Sequence, residues 1–364
     1  MARIDLVDLA QSYAGNDAPL ESYALKPMSM TWRQGGAYAL LGPSGCGKTT
    51  LLNLISGIVT PSRGQILFDG VDITKATTQA RNIAQVFQFP VIYDTMTVGE
   101  NLAFPLKNRG VPRAQIDARV KEIAALLDLT PWLDRKATRL TADAKQKISL
   151  GRGLVRSDVA AVLFDEPLTV IDPELKWELR SKLKALHRAL DLTMIYVTHD
   201  QTEALTFADT VVVMHDGRVV QSGTPQELFD KPEHTFVGYF IGSPGMNIVP
   251  AQVQGREARI SGHAVALDRS YDALTGHIEI GVRPEFVTVA PPAPGLLSAT
   301  IERIDDLGRI RFARVRVGDA KFAARVPAGF SIPGNEAGLV FDPTRMHVYS
   351  DSRLVEGQPS KDPV

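Results

Sequence analysis

A glycine-rich segment near the N-terminus combines a lysine and a hydroxyl at a spacing suited to phosphate chemistry. The segment LLGPSGCGKTTLLNLISG contains the apolar end of the run AYALL and opens a stretch with helical spacing. Gly42 and Gly47 let the backbone turn so that its amide groups point at a phosphate. Lys48 supplies positive charge to the outer phosphates, and the Thr49 hydroxyl can join a Mg²⁺ shell. The strand–loop–helix context is the one this pattern requires, which favours phosphate binding over a chance glycine-rich turn.

Two carboxylates and a histidine follow later apolar runs. In VAAVLFDEP, Asp165 is placed to hold Mg²⁺ through water and Glu166 to polarise an attacking water. In YVTHD, His199 follows the next predicted strand, where it could reach a γ-phosphate at the edge of the same sheet. Each of these alone would be an ordinary turn or loop residue. A phosphate-binding loop upstream favours the catalytic interpretation.

Alternating strands and helices must position these residues. Apolar runs at 37–41, 161–164, 193–197 and 210–214 predict buried strands. The amphipathic stretches between them predict helices, so the sequence indicates an α/β fold with a largely parallel sheet covered on both sides. The segments TVGENLAFPLKNRG and PRAQIDARVKEIAALLDL have helical spacing and predict a helical subdomain over about 97–156.

The pattern changes after residue 242. Short β-like runs such as GHIEIGV, LSATIERI and IRFARVRVG follow, with Gly and Pro between them and no convincing long helix. We therefore predict an α/β domain over 1–242, a small all-β domain, sandwich or barrel, over 243–355, and a frayed tail over 356–364.

Composition excludes several classes of protein. The net charge is −1, from 40 basic and 41 acidic residues, which gives no electrostatic argument for a nucleic-acid partner. Cys46 is the only cysteine, so an internal disulfide and a cysteine-built metal cluster are excluded, and a cytosolic chain fits best. The first residues lack the apolar core of a signal peptide, and the apolar runs are too short to span a bilayer. Any link to a membrane is therefore expected to go through a partner.

Together these motifs resemble the ATPase subunit of an ATP-binding cassette (ABC) transporter. GPSGCGKTT resembles its Walker A loop, AVLFDEP its Walker B strand with Glu166 as catalytic glutamate, and His199 matches its switch histidine. VFQFPVIYDTMTVGEN resembles the Q-loop region, with Gln88 sensing Mg²⁺, and LTVID resembles the D-loop, with Asp172 as its acidic residue. Tyr13 stands where the family places an aromatic ring against adenine.

The resemblance implies ATP and Mg²⁺ as cofactors. It implies catalytic roles for Glu166, His199 and Gln88, and metal contacts by Thr49, Gln88 and Asp165. The nucleotide-binding residues that it implies are Tyr13, Gly42, Pro43, Ser44, Gly45, Cys46, Gly47, Lys48, Thr49 and Thr50. Cys46 within this set is interpreted as a tolerated small side chain, not as a nucleophile.

The C-terminal part narrows the resemblance. GSPGMNIVPAQV, IGVRPEFVTV and FDPTRMHVYS resemble the appended OB-like, TOBE-type β-domain of importers for sugars, polyols and glycerol phosphate. This implies two membrane permease subunits as partners, an extracytoplasmic solute-binding protein that acts indirectly, and no nucleic acid. It also implies a peripheral position on the cytoplasmic face of the inner membrane, with the permease surface near Phe89, Pro90 and Tyr93.

One family motif is degenerate in this chain. The signature Leu-Ser-Gly-Gly-Gln falls on Leu140, Thr141, Ala142, Asp143 and Ala144, so only the leucine and a hydroxyl remain. In the family this motif offers helix amides to the γ-phosphate in a partner's P-loop. The carboxylate of Asp143 would oppose that phosphate, at a cost of about 4 kcal/mol for two unit charges about 4 Å apart at an effective dielectric of 20. In the alternative interpretation the stretch is scaffold, with Thr141 or Asp143 capping a helix whose Lys145 and Lys147 face water.

Retention of Lys48, Gln88, Glu166 and His199 beside a lost signature predicts a heterodimer with a second ATPase whose signature is intact. The pattern most resembles the glycerol importers that carry two distinct ATPase subunits. A homodimeric importer ATPase and an ATP-binding regulatory subunit with little hydrolysis remain as alternatives.

A P-loop small-molecule kinase would have no need of the Q-loop, D-loop and switch elements. A DNA-repair ATPase would carry long coiled coils between its Walker motifs, and a translation ATPase usually two fused cassettes.

Overall fold

A computed structural model describes residues 2–15, 18–190, 192–308, 310–330 and 334–359. Its contacts divide the chain into two compact units, unit 1 over Met1–Pro225 and unit 2 over Gln226–Val364. Residues 360–364 of the predicted tail lie outside the described residues. No helix of the described residues is long and apolar enough to span a membrane.

Unit 1 is built on two sheets. Its strands are β1 (Ile4–Gln11), β2 (Leu25–Trp32), β3 (Ala37–Leu41), β4 (Arg63–Phe68), β5 (Val71–Asp72), β6 (Ala84–Val86), β7 (Val162–Asp165), β8 (Met194–Thr198), β9 (Thr210–His215) and β10 (Arg218–Gly223). The larger sheet has the order β10-β9-β3-β8-β7-β6, in which β10 alone is antiparallel to its neighbour. The four apolar runs predicted as strands are β3, β7, β8 and β9. Because they are parallel neighbours, the residues that follow β3, β7 and β8 meet at one edge.

The smaller sheet of unit 1 is antiparallel, with the order β2-β1-β4-β5. One hydrophobic core joins it to α1 and to a face of the larger sheet, through residues such as Leu6, Ile66, Leu52 and Ile195. The prediction of a largely parallel sheet covered on both sides did not include this antiparallel layer. Its strands bury side chains on a mixed pattern rather than in continuous apolar runs, so a search for such runs passes over them.

Six α-helices accompany these sheets among the described residues of unit 1. They are α1 (Lys48–Ser56), α2 (Val98–Lys107), α3 (Arg113–Leu126), α4 (Ala142–Leu154), α5 (Pro173–Leu190) and α6 (Gln201–Phe207). Helices α2 to α4 fall within the segment for which the sequence predicts a helical subdomain. The start of α2 is specified locally by a capping box, in which Thr97 and Glu100 each accept the backbone N–H of the other.

Unit 2 is mainly β. Its elements are α7 (Pro225–Asp230), α8 (Thr235–Phe240), β11 (Asn247–Pro250), β12 (Gln252–Ile260), β13 (His263–Tyr271), β14 (Ile278–Val282), β15 (Val287–Ala290), β16 (Leu297–Asp306), β17 (Arg311–Val317), β18 (Ala320–Val326), β19 (Glu336–Phe341), β20 (Met346–Ser350) and β21 (Arg353–Val355). Strands β15 to β19 form a closed barrel in the order β15-β18-β17-β16-β19, beside a four-stranded sheet of order β11-β14-β20-β21. The predicted small β-domain of barrel type is confirmed.

The division between the units lies earlier than the 242/243 boundary predicted from the sequence. The reason is a buried arginine in unit 2. The Arg283 guanidinium lies 3.8 Å from the centre of the Phe229 ring and donates to the carbonyls of Phe229, at 2.7 Å, and of Ile241. Burial lowers the pKa of Arg283 to about 10. These contacts hold α7 and α8 to the β-strands, so residues 226–242 pack with unit 2.

Candidate functional site

The phosphate-loop motif forms the turn between β3 and α1, as its strand–loop–helix context predicts. Gly45 and Gly47 have φ of +79° and +100°, a region that favours glycine. A Cβ at Gly42 would lie 2.2 Å from the carbonyl oxygen of Met214, and one at Gly47 would lie 2.6 Å from that of Ala24. The close packing of this loop therefore requires glycine at both motif positions.

Lys48 follows the loop as the first residue of α1, and its side chain folds back onto the loop. Its side chain is buried, and Nζ donates to the carbonyl oxygens of Gly42 at 2.8 Å and Pro43 at 2.9 Å. Gly47, which caps α1, has no side chain to accept the first amides, and the first turn carries no acidic residue. An ammonium group, free helix amides and the positive end of the helix dipole thus converge where an anion would bind.

Cys46 in the same loop is buried, and burial raises the pKa of its thiol. Because the thiolate is the reactive form, this agrees with the interpretation of Cys46 as a small packing residue.

Thr49 and Asp165 meet across this edge of the sheet. The Thr49 hydroxyl donates to Oδ1 of Asp165 at 3.1 Å, which joins the first turn of α1 to the end of β7. Burial raises the pKa of Asp165, and the neighbouring charge of Glu166 raises it further, whereas the Thr49 hydrogen bond and Lys48 lower it. A partly buried carboxylate without a full counter-charge is suited to a cation.

The paired oxygens of Thr49 and Asp165 are hard donors of the kind that Mg²⁺ binds. Among the described residues, no group of three or more His, Cys, Asp and Glu side chains is placed to hold a metal ion. Mg²⁺ usually binds through one or two protein groups, water and substrate phosphates rather than in an all-protein cage. The residues therefore fit a Mg²⁺ that arrives with a nucleotide.

Glu166 adopts a backbone conformation that is unusual for its residue type. Its φ is +47°, and left-handed conformations of non-glycine residues cost roughly 1–3 kcal/mol and cluster at functional sites. The Glu166 amide donates to the Val197 carbonyl at 3.0 Å, and the Thr169 hydroxyl donates to the Glu166 carbonyl at 3.1 Å. Its carboxylate Oε2 lies 3.1 Å from Nδ1 of His199. The structure therefore brings Glu166 and His199 into contact at the ends of adjacent strands.

The other predicted nucleotide-site residues lie around this centre. Gln88 is half-buried, two residues beyond β6 and thus beside the strand that ends in Asp165. The exposed Tyr13 has its hydroxyl 3.5 Å from the Thr50 hydroxyl on α1. Asp172 is exposed, immediately before α5.

The degenerate signature lies at the N-terminus of α4. Thr141 is the capping residue, and its hydroxyl accepts the Ala144 amide at 3.3 Å. The suggestion that Asp143 caps the helix is therefore wrong, because Asp143 lies within the first turn. Its Oδ1 is buried without a hydrogen-bond partner in the described part of the chain. Helix capping therefore does not explain the presence of Asp143 at this position.

The two lysines of this helix also differ from the expectation that both face water. Lys147 is buried, with Nζ 3.8 Å from Oδ2 of Asp128. Lys145 is 24% exposed and pairs with Asp94 at 2.9 Å. Both lysines face neighbouring segments of unit 1 because α4 is enclosed on most sides, which a single sequence window does not reveal.

Two functional candidates on α4 escaped the sequence analysis. Gln146 is fully buried and bonds to Phe87 and Pro167, which flank Gln88 and Glu166. Arg152 lies 4.5 Å from the centre of the Tyr93 ring. The only available signal was their position in the stretch KQKISLGRG after the signature, which shows no residue pattern typical of a site.

An apolar surface follows Gln88 along the chain. Phe89, Val91 and Tyr93 are 70%, 52% and 40% exposed. This is the segment where the sequence analysis expects a membrane subunit to dock, and exposed apolar clusters of this kind are typical of interaction sites.

Asp165→Asn is expected to raise the thermal midpoint of the nucleotide-free protein at pH 7 while it impairs Mg²⁺-dependent ATP turnover. Because the folded-state pKa of Asp165 is raised, its stabilising contribution is greatest at acidic pH and is lost as the pH rises through that pKa. The stability gain of the variant should therefore grow from pH 4 to pH 7, as followed by calorimetry. A midpoint below that of the wild type at pH 7 would contradict the prediction.

Comparison with known proteins agrees with this geometry. The ABC transporter family model matches residues 25–169, and the TOBE domain model matches residues 280–349. The solved structure of cbiO1 from Clostridium perfringens, part of an ABC transporter complex, has a TM-score of 0.56 and 28% identity, covering 63% of this chain and 90% of that one.

Curated relatives match over most of their length. The sn-glycerol-3-phosphate import ATP-binding protein UgpC 3 of Rhizobium etli is 42% identical over 88% of this chain and 88% of its own. The trehalose/maltose import ATP-binding protein MalK of Thermococcus litoralis is 39% identical over 96% of this chain and 98% of its own. With the phosphate loop, the carboxylate pair and the β-barrel unit in place, the chain belongs to the ATP-binding subunits of ABC importers, ATPases coupled to transport.

Proposed function

We propose that the chain hydrolyses MgATP at the edge formed by β3, β7 and β8, with Glu166 as the residue that activates the attacking water. The observation that carries this proposal is the contact between the Glu166 carboxylate and His199, on the same edge as the Lys48 loop. Glu166 is held in a strained conformation by a backbone bond and by Thr169, which fixes the direction of its carboxylate. Such fixed orientation is what general-base activation of water needs.

The remaining residues have distinct tasks in this proposal. Lys48 exchanges its two carbonyl partners for phosphate oxygens when ATP binds. Thr49 and Asp165 would hold Mg²⁺, together with Gln88, and the bound ion would supply positive charge to the phosphates. His199 contacts the γ-phosphate from the neighbouring strand, and Tyr13 stacks on the adenine. Glu166 takes a proton of the water as the water oxygen bonds to the γ-phosphorus, while the bond from that phosphorus to the β,γ-bridging oxygen breaks and ADP leaves.

The imported solute is proposed from the relatives. Two proteins that match this chain over most of its length carry sn-glycerol-3-phosphate and trehalose/maltose in their names. We infer a sugar, polyol, glycerol or glycerol phosphate as the solute, imported through two permease subunits with a binding protein on the outer side. The Phe89–Tyr93 surface receives a permease segment, which places the chain peripherally on the cytoplasmic face of the membrane.

The chain is proposed to work beside a different ATPase. Ala142 and Asp143 stand at the start of α4, where the family has glycines, and Asp143 does not serve as the helix cap. A carboxylate there opposes the γ-phosphate of a partner's nucleotide, whereas Lys48, Glu166 and His199 are all retained. We infer one competent site, made from this chain's loop and the partner's intact signature, and one weak site. In the two alternatives, the chain forms a homodimer or binds ATP for regulation with little hydrolysis.

The test compares the chain alone with the chain co-purified with its membrane partners. We expect ATP turnover per copy of this chain to be at least tenfold higher in the complex, and a second ATPase to co-purify in a one-to-one ratio. Mass spectrometry identifies the second subunit, and phosphate release gives the rate. A complex that contains two copies of this chain, and full activity of the chain alone that Asp143→Gly leaves unchanged, would exclude the heterodimer. Transport that survives Glu166→Gln would favour the regulatory alternative.

A further inference from the structure

Gln146 contacts two loops of the ATP site at once. It lies in the second turn of α4 and is fully buried. Its Nε2 donates to the Pro167 carbonyl at 2.7 Å and to the Phe87 carbonyl at 3.2 Å. Pro167 directly follows Glu166, and Phe87 directly precedes Gln88. A single side-chain amide therefore ties both loops to the helix that begins at the degenerate signature.

The chemistry of these contacts requires a side chain that can donate twice. Both N–H groups of the Gln146 amide are used on carbonyl oxygens, which a carboxylate or a thioether could not bind. Its Oε1 is buried and has no donor within the described residues. A buried acceptor without a donor is destabilising, so the residue is not optimal for stability of this state alone. That pattern points to a positional role for the donor end.

Other residues of α4 hold the Gln88 loop but not the Glu166 loop. The Ser149 hydroxyl accepts the Val91 amide at 3.3 Å, and the Arg152 guanidinium lies over the Tyr93 ring. These positions follow Gln146 at intervals of three along one helix face. Within the described residues, the hydrogen bond from α4 to the Pro167 carbonyl comes from Gln146. Substitutions at Ser149 and Gln146 can therefore separate the two connections.

We propose that Gln146 is a positioning residue for ATP hydrolysis, which holds the peptide after Glu166 and the peptide before Gln88 at a fixed separation on α4. This inference rests on the roles proposed above for Glu166 and Gln88. Because the Glu166 backbone is strained, release of the Pro167 carbonyl lets the segment relax and turns the carboxylate away from the attacking water. Misplacement of a catalytic group by about 1 Å is enough to cost roughly 10²-fold in rate.

The test uses the full chain in its transporter complex. Gln146→Met keeps the length and apolar volume of the side chain but removes both donors. We expect kcat to fall at least tenfold, with KM for ATP and the affinity for a non-hydrolysable ATP analogue changed by less than twofold. Ser149→Ala is the matched control, since it removes a contact from α4 to the Gln88 loop and leaves Pro167 bound. Its kcat is expected to stay within twofold of the wild type.

The pH dependence of activity in Gln146→Glu separates a positioning role from a purely structural one. The ionised carboxylate donates no hydrogen bond, but the protonated carboxyl donates one, so its activity relative to the wild type should rise as the pH falls. A Gln146→Met enzyme with kcat within twofold of the wild type would overturn the proposal. Equally, a loss of turnover that only matches a loss of folded protein, with no acidic recovery of Gln146→Glu, would contradict it.

A double variant separates this inference from the proposed function. If Gln146 acts through Glu166, adding Gln146→Met to Glu166→Gln should lower the residual rate by less than twofold. A further tenfold loss would exclude action through Glu166 while leaving the role of Glu166 intact. Full turnover by Glu166→Gln alone would instead overturn the proposed function.

Discussion

Glu166→Gln is expected to lower the maximal rate of ATP hydrolysis by about 10²- to 10³-fold and to change ATP affinity by less than about threefold. The substitution keeps the size of the side chain and its contact distance to His199, which is 3.1 Å in the wild type. It removes the carboxylate that accepts the proton of the attacking water. Lys48, Thr49 and the loop amides bind the phosphates independently of that group, so binding should survive.

The measurement is phosphate release by the complex over a range of ATP concentrations, with a separate binding titration. Glu174→Gln is the matched control, because it makes the same chemical change on an exposed residue in the first turn of α5. We expect the control to retain the wild-type rate. More than about a third of the wild-type kcat in Glu166→Gln would show that another group activates the water.

The sequence predicts the elements that carry this proposed site because their signals are local. The phosphate loop needs glycines, a lysine and a hydroxyl within one turn, and Gly42 and Gly47 lie at close backbone approaches that admit no Cβ. Asp165 and His199 follow apolar strands, and parallel neighbours place such residues at one edge. Their proximity therefore follows from strand order, which alternating elements restrict strongly.

What the sequence did not predict depends on contacts between distant segments. Threonine and aspartate are both favoured N-cap residues, and Thr141 rather than Asp143 is the cap because α4 begins at Ala142. No residue pattern around Gln146 marks it in the sequence. The role proposed for it depends on hydrogen bonds to two carbonyl oxygens, 59 and 21 residues away along the chain. Arg283 likewise draws residues 226–242 into unit 2 from more than 40 residues along the chain. Single-sequence patterns carry no information about such partners.

Restoring the signature is expected to raise ATP turnover by the chain alone about a hundredfold. The restored variant combines Ala142→Gly, Asp143→Gly and Ala144→Gln. In a pair of identical chains, each wild-type signature would set a carboxylate against the partner's nucleotide, at a cost of about 4 kcal/mol at 4 Å and an effective dielectric of 20. A cost of about 4 kcal/mol corresponds to about a thousandfold in rate. Because salt screens the two charges and reduces this cost, we expect a smaller gain in turnover. Thr141 keeps the cap of α4, so the helix itself should remain intact.

Two partial variants divide the effect between charge and bulk. Asp143→Asn removes the charge and keeps the side-chain volume, whereas Ala142→Gly removes a Cβ and keeps the charge. If electrostatic repulsion dominates, Asp143→Asn alone should recover most of the gain in turnover. High salt should then reproduce part of that gain in the wild type, because it screens the charge. Asp117→Asn, at an exposed position on α3, is the control for a change of net charge and should have no effect. An unchanged rate in the restored variant, with ATP binding intact, would mean that the signature does not limit this chain, and the argument for a second, different ATPase would then lose its physical basis.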